Sequence, residues 1–291
     1  FSTSPRHEPH YGTWLASAQV YGMPFSVSEW NVEYPKVDRF TAPLFMASLA
    51  ALQEWDALML YNYSQQGLSE PRRVDKWSTW TDPAITALMP AAALAYREQH
   101  IRPAEHHYCL MLNQEQLYFT DLTPETSAAL RTLAETSRVS IGLPETPELP
   151  WLQATELADG VIPLEDPHLD VIPPGQTYVE SDTGELRRDW AQGIQTINTA
   201  RTQAASGWIG GETIRLDDVT FRVRTPKAVV AVTSLDGAPV AASSRLLISK
   251  AARAEISGQQ LPFRSERVEG LLELSLDGDW QMQHLTGDGA A

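Results

Sequence analysis

Cysteine is almost missing from this chain of 291 residues, which contains only Cys109. A single thiol excludes an internal disulfide. Cys109 lies in the apolar run Tyr108–Leu112, where we expect a buried and chemically inert side chain. The cysteine content therefore leaves the redox compartment open.

Long apolar runs and an excess of basic residues are also lacking. Even the stretch Ala47–Leu60 is interrupted by Gln53, Glu54 and Asp56, and it falls short of the roughly 20 residues that a membrane helix needs. Lysine and arginine number 22 against 37 acidic residues, which gives a net charge of −15 that repels phosphate backbones. We therefore expect neither a membrane span nor a nucleic-acid partner.

Metal-binding and nucleotide-binding patterns are absent from the sequence. The histidines lack the i, i+4 pairing with a nearby third ligand that zinc sites use: His7, His10, His100, His106 and His107. The chain has neither a phosphate-binding loop nor a dinucleotide fingerprint. We therefore expect no metal site and no cofactor.

The first 100 residues alternate between helical and strand patterns. They predict a helix over 14–21, a strand over 25–28, an amphipathic helix over 38–55, a buried strand over 57–61 and a helix over 82–96. Apolar strands that alternate with helices are typical of parallel βαβ units covered on both faces. Two strands cannot close a sheet, so we expect this segment to be one end of a larger barrel or sheet.

The rest of the chain predicts two further parts. Residues 105–152 predict a small α/β connector with strands over 108–112, 117–119 and 139–141 and a helix over 123–136, followed by a proline-rich linker. After about residue 176, short β-type runs are separated by turns such as Asp236-Gly237, a strong hairpin signal. That pattern predicts a β-sandwich. The predicted runs are Thr177–Glu180, Ile214–Leu216, Val219–Val223, Ala228–Thr233, Arg245–Ser249 and Leu271–Leu276.

Glu29 is the leading candidate for a chemically active side chain, because it directly follows the predicted strand over 25–28. A carboxylate at the carboxyl end of a parallel barrel strand lies on the face where barrel active sites form, whereas an ionised glutamate inside the strand would be buried at large cost. We therefore expect Glu29 to face a cleft. The alternative is a surface carboxylate beside a loop. Glu33 follows too closely to be a partner carboxylate across a barrel, and we interpret it as a solvated loop residue.

Two motifs stand in a fixed order in this segment: Ser28-Glu29-Trp30 after Met23-Pro24, and Gln53-Glu54-Trp55-Asp56 before the strand over 57–61. This order resembles the (β/α)8-barrel clan of retaining glycoside hydrolases, whose nucleophile is a glutamate at the end of the seventh strand, often within Ser-Glu-Trp. The clan's eighth strand commonly follows a helix that ends near Gln-x-Trp-Asp. The resemblance covers roughly residues 14–104, and the β-rich part is more weakly similar to accessory sandwiches of large polysaccharide-degrading enzymes.

The resemblance implies a fold class of α/β plus all-β in three consecutive domains. Residues 1–104 would be the C-terminal part of a (β/α)8 catalytic barrel, 105–175 a small α/β connector with the proline-rich linker, and 176–291 a β-sandwich accessory domain. It also implies hydrolysis of β-linked poly- or oligosaccharide with Glu29 as nucleophile. An extracellular or periplasmic location is favoured.

Retaining hydrolysis needs a second carboxyl group roughly 5–5.5 Å from the nucleophile, acting first as acid and then as base. In the clan this group belongs to the fourth strand, which nothing in this chain can supply. We therefore expect the chain alone to be inactive. Its expected partners are a carbohydrate substrate and a missing N-terminal portion of the same protein.

The resemblance also implies a substrate-binding set around the two strand ends. Its members are Trp30, Asn31, Tyr61, Asn62 and Tyr63, in which aromatic faces would stack on a sugar and amides would bond to hydroxyl groups. Plain packing is the alternative for Trp30, Tyr61 and Tyr63. Two other functions stay open: a non-catalytic carbohydrate-binding protein and an assembly module that binds no sugar.

Overall fold

The computed structural model describes residues 2–68, 75–258, 260–276 and 278–285. The chain combines helices with several sheets, and strands predominate, so the predicted mixture of α/β and β structure is confirmed at that level. The helices are α1 (Tyr11–Ala16), α2 (Ala42–Leu52), α3 (Pro83–Thr86), α4 (Met89–Arg97), α5 (Gln114–Tyr118) and α6 (Ala128–Leu133). Short 3-10 helices cover Val37–Thr41, Pro124–Thr126 and Val240–Ala242.

The strands fall into a parallel first part and an antiparallel second part. The first part comprises β1 (Ser26–Trp30), β2 (Ala57–Leu60), β3 (His107–Met111), β4 (Arg138–Gly142) and β5 (Val161–Leu164). The second part comprises β6 (Tyr178–Glu180), β7 (Leu186–Asp189), β8 (Ile194–Asn198), β9 (Thr202–Gly207), β10 (Thr213–Arg215), β11 (Val219–Val223), β12 (Ala228–Ser234), β13 (Leu246–Ala251), β14 (Ala254–Ser257), β15 (Gln260–Ser265) and β16 (Gly270–Leu274).

Internal contacts divide the chain into two compact units, each assembled from separate stretches of sequence. Unit 1 consists of Phe1–Asn31, Phe45–Tyr61 and Ala95–Ile197, and unit 2 consists of Val32–Leu44, Asn62–Leu94 and Asn198–Ala291. The domain boundaries predicted near residues 104 and 175 stay predictions.

Unit 1 begins with helix α1, which spans Tyr11–Ala16 rather than the predicted range 14–21, and the predicted strand–helix–strand order follows. β1 and β2 pair in parallel, with Ser26 opposite Ala57 and Trp30 opposite Leu60. The helix between them is shorter than the predicted range 38–55, because its first turns form the 3-10 helix Val37–Thr41. At the other end Glu54 adopts a φ of 56°, a left-handed conformation that ends the helix before β2. The parallel pairing predicted from the apolar pattern is confirmed.

A second parallel sheet of unit 1 has the strand order β4-β3-β5. Cys109 in β3 is fully buried with a free thiol, as predicted, and burial raises the pKa of that thiol. The predicted strand over 117–119 is wrong: the segment ends helix α5, which the side chain of Asn113 caps by accepting from the backbone N–H of Gln116. The predicted linker also contains a strand, since β5 pairs along β3.

The antiparallel strands of each unit are short. In unit 1, β6 pairs with β7 and β7 with β8. In unit 2, β12 lies between β9 and β13, β11 lies between β10 and β16, and β14 pairs with β15. The core of unit 2 includes β9 and β12, in which every residue is buried. The part of the chain that the structure describes contains no helix long and apolar enough to cross a membrane.

Candidate functional site

Strands β1 and β2 are held side by side by hydrogen bonds at both ends of the pair, so their carboxyl ends lie together. At the start, the backbone N–H of Phe25 donates to Oδ2 of Asp56 at 2.7 Å, and the backbone N–H of Asp56 donates to the carbonyl of Phe25 at 2.9 Å. At the far end, the backbone N–H of Tyr61 donates to the carbonyl of Trp30 at 2.9 Å. Nδ2 of Asn31 donates back to the carbonyl of Tyr61 at 2.7 Å. These bonds fix the register of the strand that carries Glu29.

Glu29 is exposed because β1 is irregular. In a regular strand Val27 and Glu29 would share one face, since side chains alternate. The register shifts between Val27 and Trp30, and the buried positions of the strand are these two residues. A shift of this kind re-aims side chains. The carboxylate of Glu29 is therefore turned to the surface at the last position but one of a parallel strand.

A tyrosine that the sequence did not single out contacts the same residue. The hydroxyl of Tyr11 donates to the backbone carbonyl of Glu29 at 3.3 Å, and partial burial raises the pKa of Tyr11, which keeps the hydroxyl protonated. Trp14 lies one turn further along α1, with its ring centroid 6.0 Å from that of Tyr11. An aromatic pair at i, i+3 before the motif is the sequence signal that could have identified these residues.

Helix α1 is fixed by an unusual cap. Nδ1 of His10 accepts hydrogen bonds from the backbone N–H groups of Gly12 and Thr13, at 3.1 and 3.3 Å. The ring proton therefore lies on Nε2, which is 2.7 Å from Oε1 of Glu135. Glu135 is buried and also accepts two hydrogen bonds from Arg188, at 2.6 and 2.5 Å. Burial alone would raise the pKa of Glu135, but Arg188 and the two sets of hydrogen bonds hold it well below its usual range.

The predicted substrate-binding residues fall into two groups. Glu29, Trp30, Asn31 and Tyr61 lie together in unit 1, where Tyr61 is 37% exposed. Trp30 is only 4% exposed, so its ring packs in the interior and presents no face to solvent. The remaining predicted residues, Asn62 and Tyr63, belong to unit 2.

Asn62 and Tyr63 are shaped by a local turn of unit 2. The backbone N–H of Asn62 donates to the carbonyl of Trp77 at 3.1 Å, and the carbonyl of Asn62 accepts from the backbone and hydroxyl of Thr79. The ring of Tyr63 is 61% exposed and lies 6.4 Å from the ring of Trp80. This geometry gives Tyr63 an accessible aromatic face.

No family model, curated protein or solved structure matches this chain. Within the described ranges, no group of three or more histidine, cysteine or acidic side chains is placed to hold a metal ion.

Proposed function

We propose that this chain is the C-terminal portion of a retaining glycoside hydrolase that acts on β-linked poly- or oligosaccharide, with Glu29 as its nucleophile. The observation that carries the proposal is the exposed carboxylate of Glu29 at the carboxyl end of a parallel strand. Active sites of (β/α)8 barrels form at that end of the strands. A carboxylate in this position is free to reach a sugar.

In this proposal β1 and β2 are the seventh and eighth strands of the barrel, and the missing N-terminal portion supplies the other six. Parallel sheets are normally covered on both faces. The apolar strand β2 instead contains no fully buried residue, and Met59 within it is 49% exposed. Met23, just before β1, is 64% exposed. Such apolar exposure beside a parallel pair is expected if further strands and helices complete it.

The antiparallel strands that follow residue 176 serve in this proposal as accessory β-sandwich structure. Their short length and the turn at Asp236–Gly237 support that assignment. Both oxygens of Asp236 accept hydrogen bonds from Ser243 or Ser244, which fixes the turn. These hydrogen bonds hold the pKa of Asp236 below its usual range.

The chemistry proceeds in two steps. Glu29 attacks the anomeric carbon and forms a covalent glycosyl ester, while a carboxylic acid of the missing portion protonates the leaving oxygen. That same group then takes a proton from water, which attacks the ester and releases the sugar with retained configuration. This chain alone lacks the acid/base and is inactive. Asn31 and Tyr61 of unit 1 would contact the substrate, whereas the buried Trp30 would support the strand.

The test replaces Glu29 in the full-length parent protein. We expect Glu29→Gln to abolish hydrolysis while glycan binding is kept, since the amide cannot act as a nucleophile. Azide added to the Glu29→Ala variant should restore cleavage of an activated β-glycoside and give the α-glycosyl azide. Glu33→Gln is the matched control and should retain activity. Hydrolysis at the parent rate by Glu29→Gln would refute the proposal. Glycan binding by a parent protein that never hydrolyses would indicate the non-catalytic alternative.

A further inference from the structure

Helix α1 exposes two aromatic side chains on one face. Tyr11 is 42% exposed and Trp14 is 49% exposed, and residues three apart lie on the same side of a helix. Their rings are inclined by 36° with centroids 6.0 Å apart. Gly12, Thr13 and Ala16 are buried on the other side of the helix. The pair therefore presents a continuous aromatic surface to solvent.

This surface is tied to Glu29 by the Tyr11 hydroxyl, which donates to the Glu29 backbone carbonyl at 3.3 Å. The helix is also anchored at its first turn, because His10 caps it and bonds to the buried Glu135. The helix that carries this surface is thus anchored beside the candidate nucleophile. Anchoring the helix in advance lowers the ordering cost of binding a ligand there.

We propose that Tyr11 and Trp14 form an aromatic subsite that binds one pyranose ring of a neutral β-linked oligosaccharide, beside the sugar that Glu29 attacks. The inference rests on the proposed function for the class of ligand. Tyrosine and tryptophan pair a large apolar face with a polar tip, which suits a ring with one apolar face and a rim of hydroxyl groups. The adjacent carboxylate and the net charge of −15 disfavour acidic sugars.

Trp151 is an exposed tryptophan with which Trp14 can be compared. Trp151 is 75% exposed in unit 1, and scattered apolar side chains of this kind need no functional explanation. What separates Trp14 from Trp151 is the neighbouring tyrosine and its bond to Glu29. Trp151 is therefore the matched control.

The first experiment titrates the 15N-labelled chain with cellohexaose, xylohexaose, mannohexaose and laminarihexaose. We expect at least one of them to shift the indole N–H signal of Trp14 and to leave that of Trp151 in place. Trp14→Ala should weaken binding roughly tenfold, and Trp151→Ala should leave it unchanged. Glu29→Gln should still bind the same hexaose.

The folding control is the amide spectrum of each variant, which should match that of the parent chain away from the substitution. Absence of a Trp14 shift with every hexaose would overturn the subsite.

The second experiment separates the subsite from the nucleophile in the full-length parent. We expect Trp14→Ala to raise KM roughly tenfold with a smaller change in kcat. An unchanged KM in Trp14→Ala, with hydrolysis lost in Glu29→Gln, overturns the subsite and leaves the proposed function standing. If instead Trp14→Ala weakens binding and Glu29→Gln still hydrolyses the substrate, the subsite stands and Glu29 is not the nucleophile.

Discussion

His10 and Glu135 share a hydrogen bond of 2.7 Å between Nε2 of the imidazole and Oε1 of the carboxylate. Because the other ring nitrogen caps α1, this bond connects a buried ion pair to the helix that carries Tyr11. Arg188, the partner of Glu135, also donates to the backbone carbonyl of Thr3. One buried carboxylate therefore organises the segment that leads up to the candidate site.

Removing the charge of Glu135 should strongly destabilise unit 1. Glu135→Gln removes the carboxylate that pairs with the buried guanidinium of Arg188, and we expect a loss of about 3–5 kcal/mol in the free energy of unfolding. Urea unfolding measures this loss. The control is Glu180→Gln, since Glu180 pairs with Arg187 at the surface and should contribute less than about 1 kcal/mol. Equal losses in the two variants would contradict this role for Glu135.

The carboxylate of Glu135 should also make the free energy of unfolding depend on pH. Arg188 and His10 hold the pKa of Glu135 well below its ordinary value of 4.5, so the unfolded chain takes up this proton before the folded chain does. The stabilisation is complete above about pH 4.5 and is lost progressively as the pH falls further. Urea unfolding measured from neutral pH to about pH 3 should show that the free energy of unfolding falls less steeply in Glu135→Gln than in the parent chain. Parallel curves for the two proteins would be inconsistent with this explanation.

His107 should contribute a second acid-dependent loss at higher pH. Burial and the nearby Arg138 lower the pKa of His107 to about 4, below its ordinary value of 6.5. Between those values the unfolded chain binds the proton and the folded chain does not, so stability decreases as the pH falls from about 6.5 to about 4. NMR titration should place the folded pKa near 4. In His107→Gln, whose amide can still reach Ser140, the free energy of unfolding should fall less over this pH range than in the parent chain. The exposed control His168→Gln should show the same fall as the parent chain.

Unit 2 depends on a buried ion pair of its own. Arg39 is 1% exposed and bonds to both oxygens of Asp82, at 2.5 and 3.0 Å, and to the carbonyl of Ala254. Asp82 also caps α3. We expect Asp82→Asn to cost about 3–5 kcal/mol, because the guanidinium would stay buried without its counter-charge. Glu273→Gln, which breaks a surface pair with Arg222, is the control for urea unfolding. A loss below about 1 kcal/mol for Asp82→Asn would contradict this expectation.

The parallel pair β1 and β2 could be predicted from sequence because short-range signals agree there. The apolar strands, the helical stripe between them and the Asp-Pro start of α3 each need only local information. The exposure of Glu29 depends instead on a register shift between two strands, which depends on the pairing partner. The sequence pattern places Glu29 near the end of β1, and its catalytic role stays a prediction.

Errors arose where local polar bonds or long-range pairing decide the structure. Leu117–Phe119 has a strand-like composition, but the Asn113 cap commits it to helix α5. β9 was not predicted, because its Thr-Gln-Ala-Ala-Ser-Gly sequence has weak strand propensity and is stabilised by pairing with β12. For Trp30 the sequence leaves stacking on a sugar and plain packing open, because burial is not visible in a motif, and the burial of this residue favours packing.

The central claim, that Glu29 is the nucleophile, is tested most directly by trapping the intermediate in the full-length parent protein. A 2-deoxy-2-fluoro β-glycoside with a good leaving group forms the glycosyl ester and slows its hydrolysis. Peptide mass spectrometry should then find the added sugar on the fragment that contains Glu29, and the Glu29→Gln variant should remain unlabelled. A sugar attached to a different carboxylate, with Glu29 unmodified, would contradict the claim.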